Sequence, residues 1–205
     1  MSQLKLTADG GGGTVAIKGP ASTTGNAAIE LTVPGTGNST LATTATAGKI
    51  LQVVSTTKTD TSSFSSSSTN TFVDLSGLTV SITPTAASSK ILIQFDVSVA
   101  VGTGTVHVRL VRGSTAIAVG DSVSSRLQST VARRSQSSVY ALECTPMSMS
   151  FLDSPNTTSA TTYKLQGTAG SSYNTTYYVN RSSGDTDADY GSRVASSITV
   201  MEVAA

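Results

Sequence analysis

The chain has 205 residues, room for one sizeable β-domain and an arm, and about a third of them are Ser or Thr while only 12% are charged. That balance disfavours helices, because hydroxyl side chains compete for backbone hydrogen bonds and β-branched residues are stiff at χ1. It also excludes ordinary disorder, since 38% of the residues are hydrophobic and recur in ordered patterns.

The first 47 residues read as an arm. Short strands are predicted at 5–7, 14–18 and 28–33, punctuated by the Gly10 to Gly13 run and by Pro34-Gly35. Such strands are too few to enclose a core, yet Ile29, Leu31 and Val33 alternate with Glu30 and Thr32, so one face seeks a partner outside the arm. The Gly-, Thr- and Ala-rich tract 35–48 reads as a linker. Two parts follow: an anchoring arm with its linker over 1–47, and a β-sandwich over 48–205.

From Ile50 the alternation strengthens. After strands at 50–55 and 71–74, Leu78, Val80 and Ile82 face one way and Thr79 and Ser81 the other. Over 90–101, Ile91, Ile93, Phe95, Val97, Val99 and Val101 form one face, while Gln94, Asp96 and Ser98 share the wetter one, as in antiparallel sheets. Val106, Val108 and Leu110 resume the pattern after Gly102-Thr103-Gly104, which predicts a hairpin. Further strands are expected near 139–144, 147–151, 162–167, 175–180 and 197–203. The fold class is therefore all-β: an antiparallel two-sheet sandwich, jelly-roll-like, of about ten strands. In the last strand Ile198 and Val200 point one way and Met201 and Val203 the other. A strand apolar on both faces is usually covered on both, and a neighbouring subunit is the economical second cover.

The chemistry is sparse. The single histidine, His107, restricts any mechanism needing a His base or a multi-His metal site, and it shares a strand face with Thr105 and Arg109, which suits a surface or an interface. No nucleophile elbow, phosphate loop or dinucleotide fingerprint stands in a strand-to-helix context. Cys144, the only cysteine, excludes an intrachain disulfide and reads as an inert buried thiol. Arg126, Arg133 and Arg134 lie within nine residues, and a solvated loop is the plain reading, with an anion site the alternative. Asp185, Asp187 and Asp189 alternate ahead of Gly191, a spacing that supplies the oxygens Ca²⁺ prefers, although no Glu stands at the twelfth position and a solvated acidic turn is the plain reading. No other cofactor is expected. Tyr173, Asn174 and Tyr190 combine rings and amides as a glycan-binding surface requires, whereas Tyr177, aligned with Val179, suits the core. A net charge of +1 gives no broad field for nucleic acid, and no apolar run is long enough to span a bilayer.

Three stretches, AGKILQVVSTTKTDT (47–61), FVDLSGLTVSITPTAASSKILIQFDVSV (72–99) and ITVMEVAA (198–205), resemble the carboxy-terminal module of tail fibre and other virion structural proteins of marine, cyanobacterial-type bacteriophages. The opening LKLTADGGGGTVAIKGP resembles the amino-terminal segment of some of them. The resemblance implies a virion component, commonly a homotrimer, with a host-facing end; the sparse chemistry implies that it is non-catalytic, and a host surface glycan is the partner that Tyr173, Asn174 and Tyr190 suggest. Synthesis in the host cytoplasm is expected, since the opening lacks a secretory signal's basic and apolar regions. Residues 1–47 are expected to dock on other virion proteins, and His107, Arg109, Met201 and Val203 to line the contact between copies. A capsid-decorating head fibre or cement protein is the alternative. A glycan depolymerase is a remoter one, which would need a carboxylate pair at a saccharide groove.

Overall fold

The structure, a computed structural model, describes the backbone of residues 4–7 and 14–17 together with residues 48–66, 68, 70–135, 143–170 and 176–205. The chain divides into two compact units, Met1–Thr44 and Ala45–Ala205. In the first, β1 (Leu4–Thr7) and β2 (Thr14–Ile17) pair antiparallel, with Leu4 opposite Ile17. The strand expected at 28–33 lies outside the described residues.

The second unit is an antiparallel two-sheet sandwich, and no helix occurs among its described residues. A six-stranded sheet holds β3 (Ile50–Lys58), β4 (Ser62–Ser65), β6 (Lys90–Ala100), β10 (Thr145–Asp153), β12 (Thr176–Val179) and β13 (Ser196–Val203). A five-stranded sheet holds β5 (Val73–Ile82), β7 (Gly104–Arg112), β8 (Thr115–Ile117), β9 (Val131–Ser135) and β11 (Thr161–Ala169). Strand β6 is the hub of the first sheet: β10 pairs along one edge, while β13 and then β12 share the other. In the second, β7 pairs with β11 on one edge and with β9 and β8 on the other.

The period-2 pattern places the core. Ile91, Ile93, Phe95, Val97 and Val99 of β6 face Val106, Val108 and Leu110 of β7 and Tyr163 and Leu165 of β11, all buried in one cluster. The hairpin expected between β6 and β7 does not form. The two strands belong to different sheets, and the short turn after β6 carries the chain across the sandwich, because both apolar faces are satisfied by facing one another through the core and both strands have other partners on their edges. Strand β5, expected as two pieces, is one strand with a bulge: the pairing with β11 shifts between Lys164–Thr79 and Gln166–Asp74. Gly77 lies in the bulge at φ +79°, which suits glycine, and both Leu75 and Leu78 are turned inward.

Buried polar groups tie the layers together. Asp153 on β10 accepts hydrogen bonds from Tyr163 Oη at 2.7 Å and from Arg112 at 2.8 and 2.9 Å, so one carboxylate joins the two sheets. Tyr177 on β12 donates to the Thr105 carbonyl on β7 at 3.0 Å and stacks on Phe64. Asn180 is fully buried. Its amide nitrogen donates to the carbonyls of Lys58 and Asp60, and its side-chain oxygen accepts from Ser196. Glu202, on the inner face of β13, accepts from Gln52 at 2.6 Å and from the amide and hydroxyl of Thr85 at 2.7 and 2.6 Å. Burial raises its pKa, but the hydrogen bonds from Thr85, Gln52 and Ser89 outweigh that and bring it down to about 2 from 4.5. A depressed carboxylate stabilises the fold fully above its unfolded pKa and loses that contribution as pH falls from 4.5 towards 2. Roughly 3 kcal/mol is at stake at 1.36 kcal/mol per pKa unit. Glu202→Gln should lower stability at pH 7 and flatten its decline over this acid range, as read by urea denaturation at successive pH values.

Candidate functional site

The outer face of the six-stranded sheet is apolar at one end. Leu152 lies opposite Leu92, Leu92 opposite Met201, and Met201 opposite Val53, so four side chains form a row across β10, β6, β13 and β3. Val53 is 57% exposed and Leu152 46%, with Leu92 and Met201 half-buried between them. Val203 adjoins the row. A register shift beside Glu202 leaves both Ile50 and Leu51 exposed at the same end. Towards the other end the rows turn polar: Ser150, Gln94, Thr199 and Ser55, then Ser148, Asp96, Ser197 and Thr57. The sequence reading found Met201 and Val203 because they break the simple alternation of β13. It missed Leu92, Leu152 and Val53, which become a patch only once register is known.

His107 and Arg109 are not part of this patch. They lie on β7, on the outer face of the opposite sheet, and the outer faces of a two-layer sandwich point in opposite directions. His107 Nδ1 is 3.2 Å from Ser129 Oγ, and burial holds the imidazole below its usual pKa. Arg109 reaches Gln166 Oε1 at 2.8 and 2.9 Å and covers the Phe72 ring.

Of the expected glycan-contacting residues, Tyr190 is 59% exposed, while Tyr173 and Asn174 lie outside the described residues. The acidic turn is not gathered around a centre. Asp185 pairs with Arg181 at 3.2 Å and with Arg193 at 2.5 Å, Asp187 and Asp189 are exposed, and no group of three or more His, Cys, Asp or Glu is placed to hold a metal among the described residues. Tyr177 is fully buried. Cys144 is half-buried rather than buried, and burial pushes its thiol up against the opposing field of Arg133. Arg133 and Arg134 stand on β9, not in a loop.

Residues 118–130, between β8 and β9, fold over the outer face of the five-stranded sheet. Gln128 donates to the Gly120 carbonyl at 2.8 Å, the Gly120 amide to Ser129 at 3.2 Å, and the Leu110 amide to Thr130 Oγ1 at 2.9 Å. Two clefts of about 530 and 360 Å³ result, with Ser125, Arg126 and Leu127 lining both.

No family model and no curated protein matches the sequence. Among solved structures, a chain in the structure of infectious bursal disease virus Gt strain aligns with it at 11% identity and a TM-score of 0.41, over 85% of this chain and 43% of that one. This chain thus spans less than half of that one.

Ser124 sits in the tight turn closed by the Arg126 amide on the Val123 carbonyl, at φ +51°, a region that costs a residue with a side chain about 1–2 kcal/mol. Ser124→Gly is expected to stabilise the chain by about 0.5–1 kcal/mol net of the added chain entropy, seen as a higher urea midpoint at unchanged slope.

Proposed function

We propose that this chain is a non-catalytic structural module of a bacteriophage virion, of tail fibre or spike type, that assembles with copies of itself and serves attachment. The observation that carries the reading is the apolar row on the outer face of the six-stranded sheet, together with what builds it. The three stretches that resemble the phage module fold into neighbouring elements: β3, β6 and β13 are adjacent in one sheet, and β5 lies in the sheet packed against it. Val53, Leu92 and Met201 of the row come from those stretches, and only Leu152 does not. An exposed apolar band rimmed by hydroxyls is the composition of a protein contact.

Burying the remaining exposed part of four such side chains contributes roughly 4 kcal/mol, at about 1.5–3 kcal/mol for a fully buried one. Association costs about 4–15 kcal/mol. The row therefore fixes where a copy docks, and further contacts must supply the rest; the alternating Ile29, Leu31 and Val33 of the arm are suited to that. Three-fold association and the tail location rest on the family resemblance. A position at the tail in images of labelled particles is the expected result, and label on the capsid faces would replace it with the head-fibre reading.

Light scattering at micromolar concentration should give a trimeric mass for the native chain and a monomeric one for Val53→Asp combined with Leu152→Asp. Both side chains point away from the core, so the variant should keep the circular dichroism and cooperative unfolding of the folded sandwich, with a midpoint that no longer depends on protein concentration. A monomeric native chain overturns self-association, and a dimeric mass overturns the trimer.

A further inference from the structure

The seven arginines divide sharply by partner. Arg112 is held by Asp153, Arg133 by Glu143, Arg181 and Arg193 by Asp185, and Arg109 by Gln166 and the Phe72 ring. Arg126 and Arg134 alone have no side-chain partner among the described residues, and both line the cleft of about 530 Å³ over the outer face of the five-stranded sheet. Chain topology brings them together: Arg134 stands opposite Thr105 on β7, and residues 118–130 carry Arg126 back over the same edge. Among the described residues no Asp or Glu lines this cleft or the one beside it, and Asp121, the carboxylate of the covering segment, lines neither.

We propose that this cleft binds the oxyanion group, carboxylate or sulfate, of an acidic saccharide. Two guanidinium groups without a carboxylate offer planar, charge-assisted donors to such a group. The rest of the lining suits sugar hydroxyls: Ser125, Ser129 and Thr105 in this cleft, and Asn70, Ser122 and Gln128 in its neighbour across Arg126. Volumes of about 530 and 360 Å³ fit one to a few sugar rings, within the range of small-ligand sites. With a net charge of +1 and two free guanidinium groups, the surface cannot follow a phosphate backbone, which takes many contacts in series. Gly170 keeps the floor low: a Cβ there would stand 2.8 Å from Thr105 Cβ and 3.0 Å from His107 Nε2. The proposal deepens the attachment reading by naming a ligand class, but binding by the isolated chain stands or falls independently of where in a particle the protein resides.

The test is calorimetric titration of the full chain with a heparin-derived sulfated disaccharide, a digalacturonate, maltose and inorganic sulfate. Both acidic sugars should bind, more weakly as NaCl is raised, and maltose should not. Arg126→Gln with Arg134→Gln should weaken binding at least ten-fold while circular dichroism stays unchanged. Arg133→Gln, which removes one positive charge from a paired residue where the double variant removes two, should leave affinity within two-fold. Equal binding of maltose, or full binding by the double variant, overturns the site. An Arg133→Gln loss as large as that of the double variant reduces the effect to general charge. Inorganic sulfate binding as tightly as the disaccharide overturns the saccharide as ligand.

Discussion

Complete enclosure of β6 is the constraint on which the rest of this sandwich depends. Its inner side chains, Ile91 to Val99, are all within a few per cent of full burial, and its backbone is paired on both edges. A strand so enclosed has one workable register, because a slip of one residue would turn five core side chains outward. Fixing β6 fixes β10 and β13 beside it. That in turn fixes which outward residues line up, so the Leu152–Leu92–Met201–Val53 row follows from the same register that builds the core.

With one cysteine, no intrachain disulfide can close the sandwich. Buried polar groups hold its layers and margins instead, and their value lies in specificity as much as in stability. A buried carboxylate is costly unless all its lone pairs are used, which makes Asp153 tolerable only where Arg112 and Tyr163 both reach it from the opposite sheet. Asn180 works in the same way within one layer, tying the carbonyls of Lys58, at the end of β3, and Asp60 to Ser196 at the start of β13. Such contacts are satisfied in one arrangement and orphaned in others, so they penalise misaligned sheets more than they reward the correct one.

The fold was largely legible in the sequence because period-2 alternation reports directly on which face is buried, and it placed β6, β7, β11 and β13 within a residue or two. Sheet membership was not legible. A Gly-containing turn between two alternating strands looks the same whether it closes a hairpin or crosses between layers, and for β6 and β7 it crosses. Strands β4, β8 and β9 were missed for a different reason. SSFS, TAI and VARRS carry too few apolar residues to show a pattern, and they are strands because neighbouring edges pair with them. The same limit applied to the surfaces. Met201 and Val203 were visible within one strand, whereas the full row and the meeting of Arg126 with Arg134 are properties of register and of a loop's return path.

The placement of the two surfaces also bears on how they can work together. The apolar row faces outward from one sheet and the arginine-lined cleft from the other, so the full thickness of the core separates them. The row is exposed at Val53 and Leu152, whereas the opposite face is covered in part by residues 118–130. If copies associate through the row, as proposed, the cleft on the other sheet stays open on each of them. Sites so separated, with no shared side chains, have additive energies. Assembly of the proposed kind would raise the number of clefts presented together without altering any one of them, and weak individual contacts of the proposed saccharide class would then sum by multivalency.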